Sequence, residues 1–302
     1  MRWKACAITV LLVVAGCGGK APLGLVQTIA PPVWADPNCP PPDKDPLPGG
    51  EQVTRGSIPD GFATTWVLRC RTEVREIQGK GEWTIQIAER SDTNAQELVD
   101  QLRRPSDGPT ASACTMELVV PPYFLLVDAA GRAVLPQVPV DSCGKPRIEA
   151  RKALEALPFR TIAETPVVQV QSQQSMDAGC SESYKDLIAI EASSAEPGPA
   201  TPIWRTAVGA IGVCVYETQQ EVGKFVAGHT IRDDAAKSLL AALDNAVPAA
   251  VCTAQHTKFA LLSVPGEATS VVVELDGCRR LLRPDQTVGQ LDESVIAMIR
   301  TT

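Results

Sequence analysis

Apolar and polar positions change period along this chain in an order that occurs twice. In the first half, Thr65–Glu76 and Glu82–Glu89 alternate and carry β-branched or aromatic residues, which predicts two strands. Leu98 and Leu102 stand four apart behind the cap signal Asp92-Thr93-Asn94, which predicts a helix over Asn94–Arg104. Tyr123–Asp128 and Ala133–Val138 read as a hairpin around Gly131, and Ile148–Leu157 as a helix ending before Pro158. The second half predicts strands near Val208–Glu217 and Lys224–Thr230 and a helix from Asp233 to Asn245. A hairpin within Lys258–Leu275 and a helix near Val288–Ile299 follow.

Each half is thus strand-strand-helix-strand-strand-helix. The expected fold class is α+β: two tandem repeats, each a four-stranded, mainly antiparallel sheet with its helices on one face. Outside this pattern, Pro166–Gln174 alternates and reads as a linker or an edge strand. Tyr184–Glu191 reads as a further strand, and Ala192–Pro202 as a small-residue, Pro-rich loop.

The cysteines follow the same doubling. Cys39, Cys70, Cys114 and Cys143 in the first half match Cys180, Cys214, Cys252 and Cys278 in the second, at offsets of 141, 144, 138 and 135 residues. Flanking residues agree: Cys70-Arg-Thr-Glu73 with Cys214-Val-Tyr-Glu217, Cys114-Thr115 with Cys252-Thr253, and Asp141-Ser-Cys143 with Asp276-Gly-Cys278. Phe124-Leu-Leu-Val127 is matched to Phe259-Ala-Leu-Leu262, and Gly81-Glu-Trp83 to Gly223-Lys-Phe225. The shared order of these matches points to internal duplication.

Eight cysteines allow 105 pairings, and a duplication that keeps its bridges leaves three per unit. Cys114 and Cys143 flank the first hairpin at its open end, as Cys252 and Cys278 flank the second. The expected disulfides are therefore Cys114–Cys143 and Cys252–Cys278, with Cys39–Cys70 and Cys180–Cys214 as the remaining pairs. Zinc is the competing use of cysteine. No C-x-x-C pair is present, and neither His229 nor His256 stands at a ligand spacing, so no metal is expected.

The N-terminus carries an address. Arg2 and Lys4 precede an apolar run from Ala5 to Val14 that ends in Val14-Ala15-Gly16-Cys17. A run of ten residues is too short to span a bilayer; the layout is that of a secretory signal peptide. An ordinary cleaved signal with an incidental cysteine would also fit it. The small-small-Cys ending resembles the lipobox of bacterial lipoproteins. That resemblance implies cleavage after residue 16, Cys17 as the site of lipid attachment, and a protein held by its acyl chains on the extracytoplasmic face of the cell membrane. The cysteine-then-hairpin pattern ending in Asp-x-Cys also resembles uncharacterised secreted lipoproteins of actinobacteria, a resemblance that implies no activity.

The expected layout is a signal peptide at 1–16, a lipidated Pro-rich tether at 17–60, one unit at 61–160, a linker or edge strand at 161–177, and the second unit at 178–302. Residues 18–50 hold nine prolines, which favours an extended segment. Loss of Arg2 and Lys4 with the signal leaves 26 basic against 35 acidic residues, net −9. An acidic chain gains nothing from counterion release on phosphates, so nucleic acid is not an expected partner.

Few residues stand in a pattern that carries chemistry. Glu73 and Glu217 are carboxylates at matching Cys + 3 positions, so a paired acid/base role competes with plain exposed strand positions. Asp233 and Asp234 read as a helix cap rather than a cation site. His229 and His256 read as surface or satisfied core histidines, and Ser181 and Ser183 as loop residues. Trp66, Trp83 and Trp204 fit either a glycan- or peptide-binding groove or the core. No nucleophile elbow, zinc-protease helix or phosphate loop occurs, so neither catalytic residues nor a cofactor are expected. The function expected is a binding or interaction module at the envelope for an unknown protein or glycan. Inhibition of a secreted enzyme is the alternative, and a hydrolase with scattered residues is the third reading.

Overall fold

The structure is a computed structural model that describes residues 30–40, 54–108, 113–117, 119–191, 197–198, 202–204, 208–219 and 221–300. The signal peptide, Cys17 and most of the expected tether lie outside the described residues.

In chain order the first half contains β1 (Trp34–Ala35), β2 (Thr64–Ile77), β3 (Gly81–Ser91), α1 (Gln96–Leu102), β4 (Tyr123–Asp128), β5 (Ala133–Val134), α2 (Ile148–Glu155) and β6 (Arg160–Gln171). The strands form one sheet in the order β1-β5-β4-β2-β3-β6, and every pairing in it is antiparallel. Strand alternation splits the apolar residues between its two faces. Val67, Phe124, Leu126 and Val134 pack with Leu98, Val99, Ala150 and Leu154 of the two helices. Leu68, Cys70, Leu125 and Val127 face the other way and meet Val33, Ala35 and Cys39.

The second half contains α3 (Gln173–Asp177), β7 (Ser183–Lys185), α4 (Leu187–Glu191), β8 (Ala210–Gln219), β9 (Val222–Arg232) and α5 (Asp233–Asp244). It continues with β10 (Val247–Pro248), β11 (Lys258–Ser263), β12 (Ser270–Glu274), β13 (Arg280–Leu282), β14 (Val288–Gln290) and α6 (Glu293–Arg300). Its sheet runs β10-β14-β13-β12-β11-β8-β9-β7. Val213, Val215, Ala260, Leu262, Val271 and Val273 face α5 and α6. Cys214, Tyr216, Phe259 and Val272 face Cys180 and Ile188.

Two four-stranded sheets are therefore not what forms. The expected strands are present at the centre of each sheet, in the orders β5-β4-β2-β3 and β12-β11-β8-β9, and further strands extend them to six and eight. All of the additions except β6 have only two or three residues, too short for a period to register in sequence. Residues 30–40, expected in the tether, belong to the first sheet through Trp34↔Val134 and Ala35↔Ala133. Residues 183–191 form a three-residue strand and a helix, not one strand, and Val288–Gln290 is a strand ahead of a shorter last helix. The expected edge strand begins at Arg160 rather than Pro166, as β6.

Register corrects one sequence match. Cys70 stands opposite Tyr123 and Cys214 opposite Leu261. Counted from these cysteines, Phe124 (opposite Arg69) corresponds to Leu262 (opposite Val213), and both face helices. Phe259 faces the opposite side of its sheet. A three-residue offset is odd, and an odd offset reverses the face on which a side chain falls.

Four disulfides join Cys39 to Cys70, Cys114 to Cys143, Cys180 to Cys214 and Cys252 to Cys278. Cys39–Cys70 and Cys180–Cys214 each pin a leading segment to the sheet face opposite α1 and α2 in the first half and opposite α5 and α6 in the second. Each bridge closes a loop of about 30 residues, worth roughly 3–4 kcal/mol in the chain-entropy account. Such bridges persist in oxidising compartments. Among the described residues, no helix is long and apolar enough to cross a membrane.

The halves meet at α3. Ser172 caps this helix by accepting from Ser175 N at 3.2 Å. Glu182, at the entry to β7, accepts from Ser172 N, Ser172 Oγ and Ser175 Oγ at 2.8–2.9 Å. Gly81 N donates to Gln173 Oε1, and Gln171 Nε2 to the Cys180 carbonyl. Gly81 and Gly228 allow the close approach. A Cβ on Gly81 would stand 2.1 Å from the Gln171 carbonyl oxygen, and one on Gly228 2.5 Å from Ala178 Cβ.

Candidate functional site

Three arrangements of polar groups stand out, and the first is an exposed loop held from both sides. Ala113–Glu117 leads towards β4 with every side chain in solvent, and Met116 is fully exposed. Cys114 is bridged to Cys143. Thr115 Oγ1 and the Glu117 carboxylate both accept from Lys145 Nζ, the latter at 3.3 Å. Lys145 is itself fixed, because Asp141 Oδ1 accepts from Cys143 N at 2.8 Å and from Lys145 N at 3.0 Å. Further on, Arg55 Nη2 donates to the carbonyls of Pro121 and Pro122. Side chains at i and i+2 share a face in extended chain. With Thr115 and Glu117 both turned to Lys145, Met116 is left pointing to solvent. The backbone groups of Thr115, Met116 and Glu117 make no hydrogen bond among the described residues.

The second arrangement is buried. His256 Nε2 lies 2.6 Å from Asp186 Oδ2, and its Nδ1 lies 3.1 Å from Glu274 Oε1. Thr218 Oγ1 donates to Asp186 Oδ2 at 2.9 Å, and Arg280 Nη2 to Glu274 Oε1 at 2.6 Å. Burial alone would lower the His256 pKa, but the two carboxylates push it up to about 9. Burial in turn works against ionised Asp186 and Glu274. Hydrogen bonds, those from His256 foremost, outweigh it and hold both carboxyls below their ordinary values. His256 is thus an imidazolium with both nitrogens donating, so it has no lone pair to serve as a general base. Two anions balance two cations, which leaves no net charge to attract an ion. A cavity of about 390 Å³ opens above this cluster, lined by His256, Arg280, Cys252, Ala249, Ile188 and Val288.

The third is a ladder on the β2–β3 hairpin. Glu89 accepts from Arg69 Nε at 2.7 Å and Arg71 Nε at 3.1 Å. Glu73 accepts from Arg71 Nη1 at 2.7 Å and Arg75 Nε at 2.9 Å, and Arg75 Nη1 continues to Glu164 at 2.7 Å. Alternating signs neutralise the face. Arg71 and Arg75 hold the Glu73 carboxyl below its ordinary pKa, the opposite of what a general acid needs.

The residues singled out from sequence are scattered. Glu73 lies on the first sheet and Glu217 on the second, where it faces Lys224 and Lys258 across the ladder. Asp233 and Asp234 occupy the first turn of α5 without a side-chain cap bond, and Asp234 pairs with Lys237 at 2.9 Å. Burial lowers the pKa of His229 on β9. Trp204 is core and donates to the Thr269 carbonyl, Trp83 donates to the Lys80 carbonyl, and Trp66 lies under Arg90, so they line no common groove. Ser181 contributes its carbonyl, to Tyr216 Oη at 3.2 Å. Sequence reasoning missed Lys145, Asp186 and Glu274. Asp186 is 70 residues from His256, so no local spacing could pair them. Among the described residues no group of His, Cys, Asp and Glu could hold a metal ion. Comparison with known protein families, curated proteins and solved structures found no match.

Proposed function

We propose that this chain is a lipid-anchored extracytoplasmic protein of the cell envelope, acylated at Cys17, that acts as a binding module for another envelope or secreted protein. The observation that carries this reading is the loop at Ala113–Glu117. A fully exposed apolar side chain in solvent stabilises nothing in the folded chain. Here one is presented on a segment fixed by a disulfide and a lysine. Preorganisation of this kind lowers the entropy lost on binding.

The shared central strand order of the two sheets supports origin of the halves by duplication. The disulfides agree with an oxidising location. The anchor is tested by Cys17→Ala, which is expected to move the protein from the membrane fraction to the medium or to leave an unprocessed precursor. Membrane association that survives this change and a high-salt wash refutes the anchor. Binding is tested by capture of partners from envelope extract with the intact and the Met116→Asp protein, the latter being expected to lose the specific partner.

A second reading, inhibition of a secreted enzyme, is favoured by Thr115, Met116 and Glu117, whose backbone groups make no hydrogen bond among the described residues. Extended segments with unpaired N–H and C=O groups add as a strand to the substrate cleft of an enzyme that reads peptides.

A further inference from the structure

We propose that Cys114–Glu117 is a peptidase-directed loop that enters the cleft of a secreted serine endopeptidase and places Met116 in its primary specificity pocket. The inference rests on the inhibitor reading and names its target class. Endopeptidase clefts bind substrate as an extended strand, with main-chain hydrogen bonds to the cleft and one side chain in a pocket. The loop offers the main-chain groups and the side chain that such a cleft takes. Thr115, Met116 and Glu117 keep their backbone donors and acceptors free among the described residues, and Met116 is the side chain turned outward. Its unbranched, flexible thioether suits a deep apolar pocket rather than a pocket built for a cation.

What separates an inhibitor from a substrate is resistance to the motion that follows cleavage. Here the residues on both sides of Met116 are tied to the same ammonium, Thr115 and Glu117 to Lys145 Nζ. Cys114 is covalently bound to the turn that carries Lys145. Cutting the Met116–Glu117 bond would leave both new ends held in place, ready to be resealed or to block the cleft. Among the described residues, the second half lacks this device. Val251, also fully exposed, precedes Cys252, but no lysine bridges its neighbours, and its β-branched side chain is stiff. Asp276, the counterpart of Asp141, is used instead on Thr257 and Lys258.

The test is titration of subtilisin and chymotrypsin, which accept large apolar side chains, with the full-length protein in detergent. Stoichiometric inhibition of at least one enzyme is expected. Met116→Asp is expected to weaken it by at least about 30-fold, the scale of a central interface residue. Met116→Lys is expected to transfer inhibition to trypsin. Lys145→Ala is expected to keep initial binding but to be cut after Met116 faster than the parent, as read by mass spectrometry. Inhibition that is unchanged in Met116→Asp overturns the loop assignment and leaves the inhibitor reading standing. Absence of inhibition by the intact protein, or parent cleavage as fast as that of a reduced, unfolded control, overturns both. Neither outcome touches membrane anchoring, which the Cys17→Ala fractionation reads separately.

Discussion

Asp186 and His256 are joined by a 2.6 Å hydrogen bond across 70 residues of chain, and both side chains are buried. Glu274 holds the other ring nitrogen, so the imidazole is locked as a cation between β11–β12 and the segment leading into α4. This gives the second half of the protein a defined pH response. His256 has an ordinary pKa of 6.5 in the unfolded chain and about 9 in the fold. Its contribution to stability is therefore complete below about pH 6.5 and is lost as pH rises towards 9. The carboxyls of Asp186 and Glu274 are lowered instead, so their contribution is present near neutrality and is lost in acid. Thermal unfolding is expected to show a lower Tm at pH 9 than at pH 6. An unchanged Tm would mean that His256 is not charged in the fold.

Removing the cation has a larger effect. His256→Leu leaves the buried Asp186 carboxylate with the Thr218 hydroxyl and the Ala189 amide as its remaining donors. An uncompensated buried charge costs about 3–5 kcal/mol. The double change Asp186→Asn with His256→Leu is expected to recover part of that loss in urea unfolding. A double variant less stable than His256→Leu alone would show that the pair is not the unit that matters.

The outer strand β6 protects the first sheet. It covers β3 along nearly its whole length, from Glu82↔Gln171 to Arg90↔Arg160. A fragment ending at residue 160 exposes the ladder groups of β3, whereas one ending at 171 keeps them paired. The shorter fragment is expected to associate on size-exclusion chromatography and the longer to stay monomeric, because an uncovered edge templates further pairing. Equal behaviour of the two would remove β6 from the folding unit.

Two glycines near one turn separate conformational strain from steric block. Gly79 and Gly81 both have positive φ, 72° and 83°, but only Gly81 faces backbone, since a Cβ there would stand 2.6 Å from Gln173 N. Gly79→Ala meets open space and costs about 1–2 kcal/mol of left-handed strain. Gly81→Ala must in addition displace residues 171–173, so it is expected to lower Tm further than Gly79→Ala does. Equal losses would mean that the approach of α3 to β3 is not tight.

The sequence alone determined the central strands, their following helices and the cysteine pairs. Each of these rests on near neighbours: alternation over six or more residues, a leucine repeat at four, and two cysteines flanking one hairpin, which leaves one further pair in each unit. Even there it misplaced a match, because Phe124 and Phe259 are alike in residue type while sheet register sets Phe124 against Leu262. Tertiary structure decided the rest. The two-residue strands β1 and β10 exist only because a neighbour supplies their hydrogen bonds. His256 is ionised because folding brings in Asp186 and Glu274, and the sequence contains no sign of that distance. Met116 is presented outward because Lys145, distant in sequence, pulls Thr115 and Glu117 to its own side. Local periodicity reports which face a side chain takes. Which partner meets it there depends on how distant segments of chain close on one another.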